Sequence, residues 1–395
     1  MINSLNLSDT ATGYRYKSNT ELKFTYWMYR ILQSKRMANA LIFCTRIILK
    51  YNLPFQYLIK KTVFNVFCAG ENIDDAFKKI MFLNEFKVKS VLDYVSEGEN
   101  DDRSFDKNAK IIVSNIVRLG KESPGNYVSV KLSGLENPGF LTYCNGLEFL
   151  NDLIISPRFD RLMARVDLIC KSARDSNVIV FIDAEDRCMQ DLFDRITETM
   201  MEKYNSNHAV VFNTLQMYLK DRLPYVRRLI DLAEKQQYVP GIKLVRGAYV
   251  EKERELARKE GRESPVFDTK KETDDAFNEA VELCLRSHNF VDTCIATHNR
   301  ESTLHAVACI KKYRIENHFN KVRFSQLYGM SDCLTFNLCL NGYNSSKYLP
   351  YGEVKKAIPY LIRRSEENSS IDGQIVNEAN FLKDELERRA GKQEL

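Results

Sequence analysis

Short apolar runs rich in β-branched residues recur along most of this chain, and each is followed by a stretch of helical character. The strands predicted from this pattern lie in "KVKSVLDYV", "YVSVKLSGL", "NVIVFIDAE", "HAVVFNTLQ", "GIKLVRGAY", "VDTCIATHN", "KVRFSQLYG" and "SSKYLPYG". Near-continuous apolar strands that alternate with helices are typical of parallel strands buried on both faces. Eight such units fit a (β/α)8 barrel, which typically needs about 250 residues. A doubly wound open sheet is the alternative, but no GxGxxG follows any strand.

The pattern divides the chain into three regions. We expect a helical N-terminal region over residues 1–85, a distorted, TIM-like α/β barrel over 86–371 and a C-terminal helical tail over 372–395. The longest apolar region, residues 38–67, is interrupted by Arg46, Lys50, Lys60 and Lys61 and falls short of the about 20 apolar residues that a membrane span needs. Helices packed on the main body are favoured over an amphipathic membrane-surface anchor.

Charge and cysteine usage exclude several classes of protein. The 58 basic and 53 acidic residues form no phosphate-tracking stripe, so we expect no nucleic-acid partner. The ten cysteines contain no CxxC pair, which indicates reduced thiols and a cytoplasmic location. The five histidines show no HExxH or comparable spacing, so we expect no metal centre. The N-terminus lacks the layout of a signal peptide.

Polar residues follow the predicted strands, where the active face of a barrel lies. They describe a pocket for a polar, partly anionic ligand, and they include Lys131, Asp183, Glu185, Asn213, Gln216, Lys243, Arg246, Thr297, His298, Asn299 and Gln326. In the last helix, Arg363 and Arg364 precede Glu367. Two guanidinium groups match a carboxylate, although spacing alone favours an exposed helix face with weak ion pairs. We also predict that Asp332 is the N-cap of the helix "CLTFNLCL".

The motifs "VKLSGL", "FIDAED", "NTLQMYL", "KLVRGAYVEKER", "IATHNRES", "FSQLYGMSD" and "YLPYGEVKKAIPYLIRRSEEN" together resemble the proline dehydrogenase family, over residues of about 90–371. The resemblance implies a barrel that binds FAD without a Rossmann domain. It implies oxidation of L-proline to 1-pyrroline-5-carboxylate by hydride transfer to flavin N5, with electrons passed to a membrane quinone. Peripheral contact with the inner membrane is a hypothesis that follows from this acceptor and from the basic, apolar N-terminal helices.

The resemblance also implies roles for individual residues. The clamp on the substrate carboxylate corresponds to Lys131, Arg363 and Arg364, and Glu367 is its acidic partner. Tyr348 corresponds to the aromatic residue beside the proline ring, where its hydroxyl would obstruct a ring substituent. Other substrate-site positions are Asp183, Tyr249, Leu327 and Tyr360. The FAD-binding positions are Gln216, Lys243, Val245, Arg246, Gly247, Ala248, Lys270, Thr297, His298 and Asn299.

The residue types suit this chemistry, because the cofactor carries the hydride and the protein only fixes both reactants in contact. Gly247 and Ala248 would let the backbone approach a flat cofactor, and Lys243 and Arg246 would offer positive charge. Some relatives exchange Lys and Arg at these last two positions, so which of them lies near flavin N5 stays open. The alternatives are oxidation of 4-hydroxyproline on the same scaffold, a metal-dependent hydrolase and a non-catalytic ligand-binding barrel.

Overall fold

Eight parallel strands form a closed barrel in the computed structural model, which describes residues 5–51, 56–95, 99–147, 156–315, 320–357, 361–362 and 374–391. The strands are β1 (Lys89–Tyr94), β2 (Tyr127–Val130), β3 (Ile179–Ile182), β4 (Val211–Gln216), β5 (Gly241–Val245), β6 (Asp292–Ala296), β7 (Val322–Leu327) and β8 (Ser345–Tyr351). They are ordered around the barrel as in the sequence. The predicted (β/α)8 fold is therefore confirmed.

Helices precede, separate and follow the strands. They are α1 (Thr10–Gly13), α2 (Asn19–Gln33), α3 (Lys35–Lys50), α4 (Gln56–Ile59), α5 (Asn65–Phe67), α6 (Ile73–Glu85), α7 (Asp102–Glu122), α8 (Pro138–Asn145), α9 (Pro157–Asp175), α10 (Arg187–Tyr204), α11 (Arg222–Gln236), α12 (Val250–Glu260), α13 (Lys270–Arg286), α14 (Arg300–Lys312), α15 (Asp332–Leu340) and α16 (Gln374–Gly391). A π-helical turn, Lys60–Phe64, joins α4 to α5, and a 3-10 turn, Leu132–Gly134, follows β2.

The chain forms two compact units. One comprises residues 91–324, and the other combines residues 1–90 with 325–395. The domain division predicted from the sequence, at 85/86 and 371/372, stays a prediction.

In the unit of residues 91–324, every residue of β2 and β4 is buried. Side-chain caps fix where the helices begin. Thr269 and Glu272 form a capping box at the start of α13, and the Asn299 side chain accepts a bond from the backbone of Ser302 at the start of α14. The Asn299 cap starts α14 four residues after the end of β6.

In the other unit, Asp332 is not the N-cap of α15, so the sequence prediction is wrong there. Ser331 holds that position, with a positive φ of 53°. Asp332 instead accepts a hydrogen bond from Tyr16 at 2.7 Å and pairs with Lys347 at 2.8 Å. Burial would raise the pKa of Asp332, but Lys347 and Lys17 outweigh it and hold that pKa below its usual range. The Asp332 side chain therefore neutralises the buried Lys347 ammonium and does not cap α15.

Candidate active site

Two buried ion pairs lie toward the carboxyl ends of barrel strands, one between β1 and β2 and the other between β3 and β5. Lys131, directly after β2, places its Nζ 2.9 Å from a carboxylate oxygen of Asp93 in β1. Lys243 in β5 places its Nζ 2.7 Å from Asp183, directly after β3. All four side chains are at most 13% exposed. We call these four residues the inner cluster.

The two pairs interact with each other. Burial alone would raise the pKa of Asp183, but the positive charges of Lys243 and Lys131 outweigh it and hold this pKa below its usual range. The Asp183 carboxyl is therefore ionised at neutral pH. Lys243 also lies 5.1 Å from the centre of the Phe181 ring. Of the residues predicted from the sequence, the structure brings Lys131, Asp183 and Lys243 together.

A second group of polar side chains surrounds Arg246, just beyond the end of β5. Its guanidinium donates to Asp274 at 2.7 Å, to the Thr297 hydroxyl at 2.6 Å and to the Ser302 hydroxyl at 2.8 Å. The Phe277 ring centre lies 4.4 Å from it. Burial lowers the pKa of Arg246, against the opposing effect of Asp274, yet a guanidinium stays charged at any physiological pH.

Two more predicted FAD-binding residues join this Arg246 group. The backbone N–H of Asn299 donates to the Thr297 hydroxyl at 3.0 Å. Lys270 pairs with the second oxygen of Asp274. The structure therefore links Lys270 to Arg246 through Asp274 and links Asn299 to Arg246 through Thr297, separate from the partners of Lys243.

Gly247 has a local structural reason to be glycine. Its φ is 115°, and a Cβ atom here would lie 1.8 Å from a ring carbon of Tyr218. The Tyr218 backbone N–H donates to the carbonyl of Arg246 at 2.8 Å, which fixes this ring against the turn. Ala248 follows, partly exposed, and Tyr249 occupies the N-cap position of α12.

The remaining predicted residues occupy several places. Gln216, at the end of β4, donates to the carbonyl of Glu185 at 2.7 Å. Val245 ends β5, and His298 lies directly after Thr297. Leu327 and Tyr348 belong to the other unit, where Tyr348 is 8% exposed. Tyr360, Arg363, Arg364 and Glu367 lie outside the residues that the structure describes.

Three residues that bond to predicted site residues were not predicted from the sequence, namely Asp93, Asp274 and Ser302. Asp93 lies inside the apolar run "KSVLDYV", and an acidic residue in a buried strand was the available signal. Asp274 and Ser302 gave a weaker signal, because both lie near the start of helices with charged faces, which are usually solvated.

A closed parallel barrel with paired charges at the carboxyl ends of its strands has the architecture of (β/α)8 enzymes, whose active sites lie at that end of the barrel. Residues 76–377 match the family model described as proline dehydrogenase. The chain is 34% identical over 330 residues to the carbapenem antibiotics biosynthesis protein CarD of Pectobacterium carotovorum, covering 82% of this chain and 84% of that protein. It is 29% identical to proline dehydrogenase 1, mitochondrial, of Dictyostelium discoideum, covering 98% of this chain and 75% of that one. The chain belongs to the proline dehydrogenase family and is an oxidoreductase, as the sequence motifs predict.

Among solved structures, proline utilization A from Bdellovibrio bacteriovorus superposes with a TM-score of 0.71 and 21% identity. The match covers 80% of this chain but only 34% of that protein, so the chain spans about a third of its length. At this identity the likeness supports the barrel fold alone.

Proposed function

We propose that this chain oxidises L-proline to 1-pyrroline-5-carboxylate with FAD as cofactor and passes the electrons to a membrane quinone. The observation that supports this most is the inner cluster, because it sets two cations and two carboxylates at the mouth of a barrel of this family. Lys131, the most exposed of the four at 13%, is the cation that a substrate carboxylate would reach first. Arg363 and Arg364 would bind the same substrate carboxylate as Lys131.

The residues present fit FAD. A diphosphate needs cations and hydroxyl or backbone donors, and a flavin that becomes negative on reduction needs a nearby positive charge. The Arg246 group supplies the first set and Lys243 the second. When bound, FAD would supply the hydride acceptor.

Lys243 and Arg246 have different partners, and this difference indicates which part of FAD each of them serves. Arg246 donates to three side chains on α13, α14 and the β6 loop, so it positions Thr297 and the start of α14. Lys243 is buried inside the barrel with Asp183. We therefore assign Lys243 to the isoalloxazine ring and Arg246 to holding the residues that contact the rest of the cofactor. The proton of the proline amine would leave to solvent.

Tyr348 favours proline over 4-hydroxyproline, because its phenol would occupy the space of a ring hydroxyl. Hydroxyproline dehydrogenase of Xenopus laevis is 36% identical to this chain over 232 residues, so both substrates must be compared. We expect the wild type to turn over L-proline faster. Replacing Tyr348 by serine should raise the ratio of 4-hydroxyproline to L-proline turnover, with Tyr143→Ser, a 65% exposed tyrosine on α8, as the control.

The central experiment is an anaerobic absorption spectrum of the purified protein. We expect a bound-flavin spectrum that bleaches when L-proline is added and recovers with a soluble quinone. A colourless protein would instead favour the non-catalytic barrel. If the purified protein contains no flavin and loses its activity when a chelator is added, the metal-dependent hydrolase would be favoured.

A basic segment of the N-terminal region supports contact with a membrane surface. Between Glu21 and Glu71 the sequence has eight Lys and Arg residues and no Asp or Glu. Several large apolar side chains in this segment are at least half exposed, namely Trp27, Met37, Phe43, Tyr51 and Tyr57. No helix in the described part of the chain has the length and apolarity to cross a membrane. We propose that this segment lies on an anionic bilayer, since basic residues with exposed aromatics bind there.

Vesicle co-sedimentation tests this contact. The wild type should bind vesicles that contain anionic phosphatidylserine and bind neutral vesicles weakly. The double variant Trp27→Ser/Phe43→Ser should lose most binding, while Tyr143→Ser should keep it. Wild-type protein that stays in the supernatant with anionic vesicles, whether its flavin is oxidised or reduced, would refute the proposal.

A further inference from the structure

Three potential metal ligands converge between α13 and α14, away from the inner cluster and the Arg246 group. Their ligand atoms, from Glu282 on α13 and from His305 and Cys309 on α14, all lie within 4.8 Å of one another. His305 and Cys309 are four residues apart, so they share one face of α14. These residues do not form an HExxH motif, because His305 and Cys309 lie on one helix and Glu282 lies on another.

The geometry suits a tetrahedral thiophilic ion. Zinc binds sulfur at about 2.3 Å and imidazole nitrogen at about 2.0–2.1 Å, which in a tetrahedron separates the two ligand atoms by about 3.6 Å. The Cys309 Sγ and His305 Nε2 atoms lie 3.6 Å apart. Cys309 is 3% exposed, which shields its sulfur from other reactions. The Glu282 oxygen lies within 4.8 Å of both of these atoms, so it needs to approach each of them by no more than about 1.2 Å to complete the set.

Glu282 already has partners that orient it. Lys312 donates to its Oε1 at 2.7 Å and Tyr313 donates to the same oxygen at 2.8 Å. Both bonds use one oxygen, which leaves Oε2 to face a metal, and carboxylate ligands are commonly held by such second contacts. The Lys312 ammonium opposes a divalent cation, but its side chain is 62% exposed and solvent screens it.

We propose that Glu282, His305 and Cys309 form a binding site for one thiophilic divalent cation such as Zn²⁺, with a water molecule as fourth ligand. Binding forms a metal–thiolate bond and releases the Cys309 thiol proton to solvent. Mixed sulfur, nitrogen and oxygen ligands select Zn²⁺ over Mg²⁺ or Ca²⁺.

The site would tie together two helices that hold the Arg246 group. α13 carries Asp274 and α14 carries Ser302, and both accept hydrogen bonds from Arg246. An ion that bridges Glu282 to His305 and Cys309 would lock the later turns of the same helix pair. Metal binding should therefore raise the melting temperature of the holoenzyme without taking part in its chemistry.

Titration of the metal-free holoenzyme with Zn²⁺, followed by calorimetry, tests this inference. We expect one equivalent to bind and the melting temperature to rise. Cys309→Ser should weaken binding by about 100-fold or more, and Glu282→Gln, which changes a partly exposed side chain, by about tenfold. Cys188→Ser, which removes an exposed thiol on α10, should bind as the wild type does.

Cobalt gives a second measurement that does not depend on activity. With Co²⁺, the difference spectrum should show a thiolate charge-transfer band in the wild type and in Cys188→Ser, but none in Cys309→Ser. Equal Zn²⁺ binding by Cys309→Ser, no stoichiometric binding by the wild type, or the same band in Cys309→Ser would each overturn the proposal. Far-ultraviolet circular dichroism verifies that every variant is folded.

Discussion

Replacing Asp93 by asparagine removes a buried negative charge while nearly preserving the shape of the side chain. The Asp93 carboxylate oxygens lie 2.9 and 3.1 Å from the Lys131 Nζ atom, and the two side chains are 1% and 13% exposed. Opposite charges 4 Å apart attract by about 4 kcal/mol at an effective dielectric constant of about 20. Asparagine keeps one acceptor, and Asp183 still faces Lys131. We therefore expect the free energy of unfolding to fall by about 2–3 kcal/mol.

A double-mutant cycle isolates the pair. Lys131→Met leaves the Asp93 carboxylate buried without its cation and should cost about 3–5 kcal/mol. Asp93→Asn/Lys131→Met removes both charges and should be more stable than the sum of the single changes predicts, by about 2 kcal/mol. The unfolding of the flavin-loaded protein in urea should be followed by far-ultraviolet circular dichroism, because the single tryptophan, Trp27, belongs to the other unit.

Asp275→Asn is the matched control. Asp275 pairs with Lys271 on the surface of α13, with side chains 62% and 83% exposed, so its loss should change stability by less than about 0.5 kcal/mol. If Asp93→Asn is as neutral as this control, or if the two single changes add to within about 0.5 kcal/mol, the inner cluster is not held together by charge pairing.

Three further outcomes follow from the geometry. Gly247→Ala should destabilise the protein by more than about 2 kcal/mol, since its Cβ meets the Tyr218 ring at positive φ, and in denaturant melts Gly247→Ala/Tyr218→Ala should lose less stability than the sum of the two single changes. Arg246→Met should weaken flavin retention on gel filtration by about tenfold to a hundredfold through lost charged hydrogen bonds; unchanged flavin content would contradict its positioning role. Burial and Asp332 raise the pKa of Glu378 to about 7. The folded state then binds the additional proton between the unfolded value of about 4.3 and about 7, so stability falls as pH rises through this window, and Glu378→Gln should flatten that fall in melts at a series of pH values.

The barrel could be predicted because each strand carries its own signal. "VFNTLQ" and "GIKLV" are buried along almost their whole length, so an unbroken apolar run marks them without knowledge of their neighbours. The ends of the strands were less certain. The run "YVSVKLSGL" suggested a longer strand, but β2 stops at Val130 and a 3-10 turn follows.

The pairings within the site could not be predicted from the same signals. Asp93 and Lys131 are 38 residues apart, and Lys243 and Asp183 are 60 residues apart. Their contact depends on barrel closure and strand register, which local sequence does not encode. Arg246 shows the same limit. Its position at a polar strand end predicted a site residue, but its bond to Ser302 depends on where the fold places α14.

The inner cluster gives a physical reason to bury acidic residues next to the cations that we propose bind a carboxylate substrate. An unpaired charge at this depth destabilises a fold, because burial disfavours the charged form. Asp93 lies 2.9 Å from Lys131 and Asp183 lies 2.7 Å from Lys243, so each lysine has an acidic partner before any ligand arrives. In the proposed function, a substrate carboxylate would share Lys131 with Asp93, which would lower the affinity for the substrate but present a cation that is already oriented. Asp93→Asn separates these two effects: if it tightens proline binding while destabilising the protein, competition for Lys131 dominates, and if binding weakens as well, orientation does.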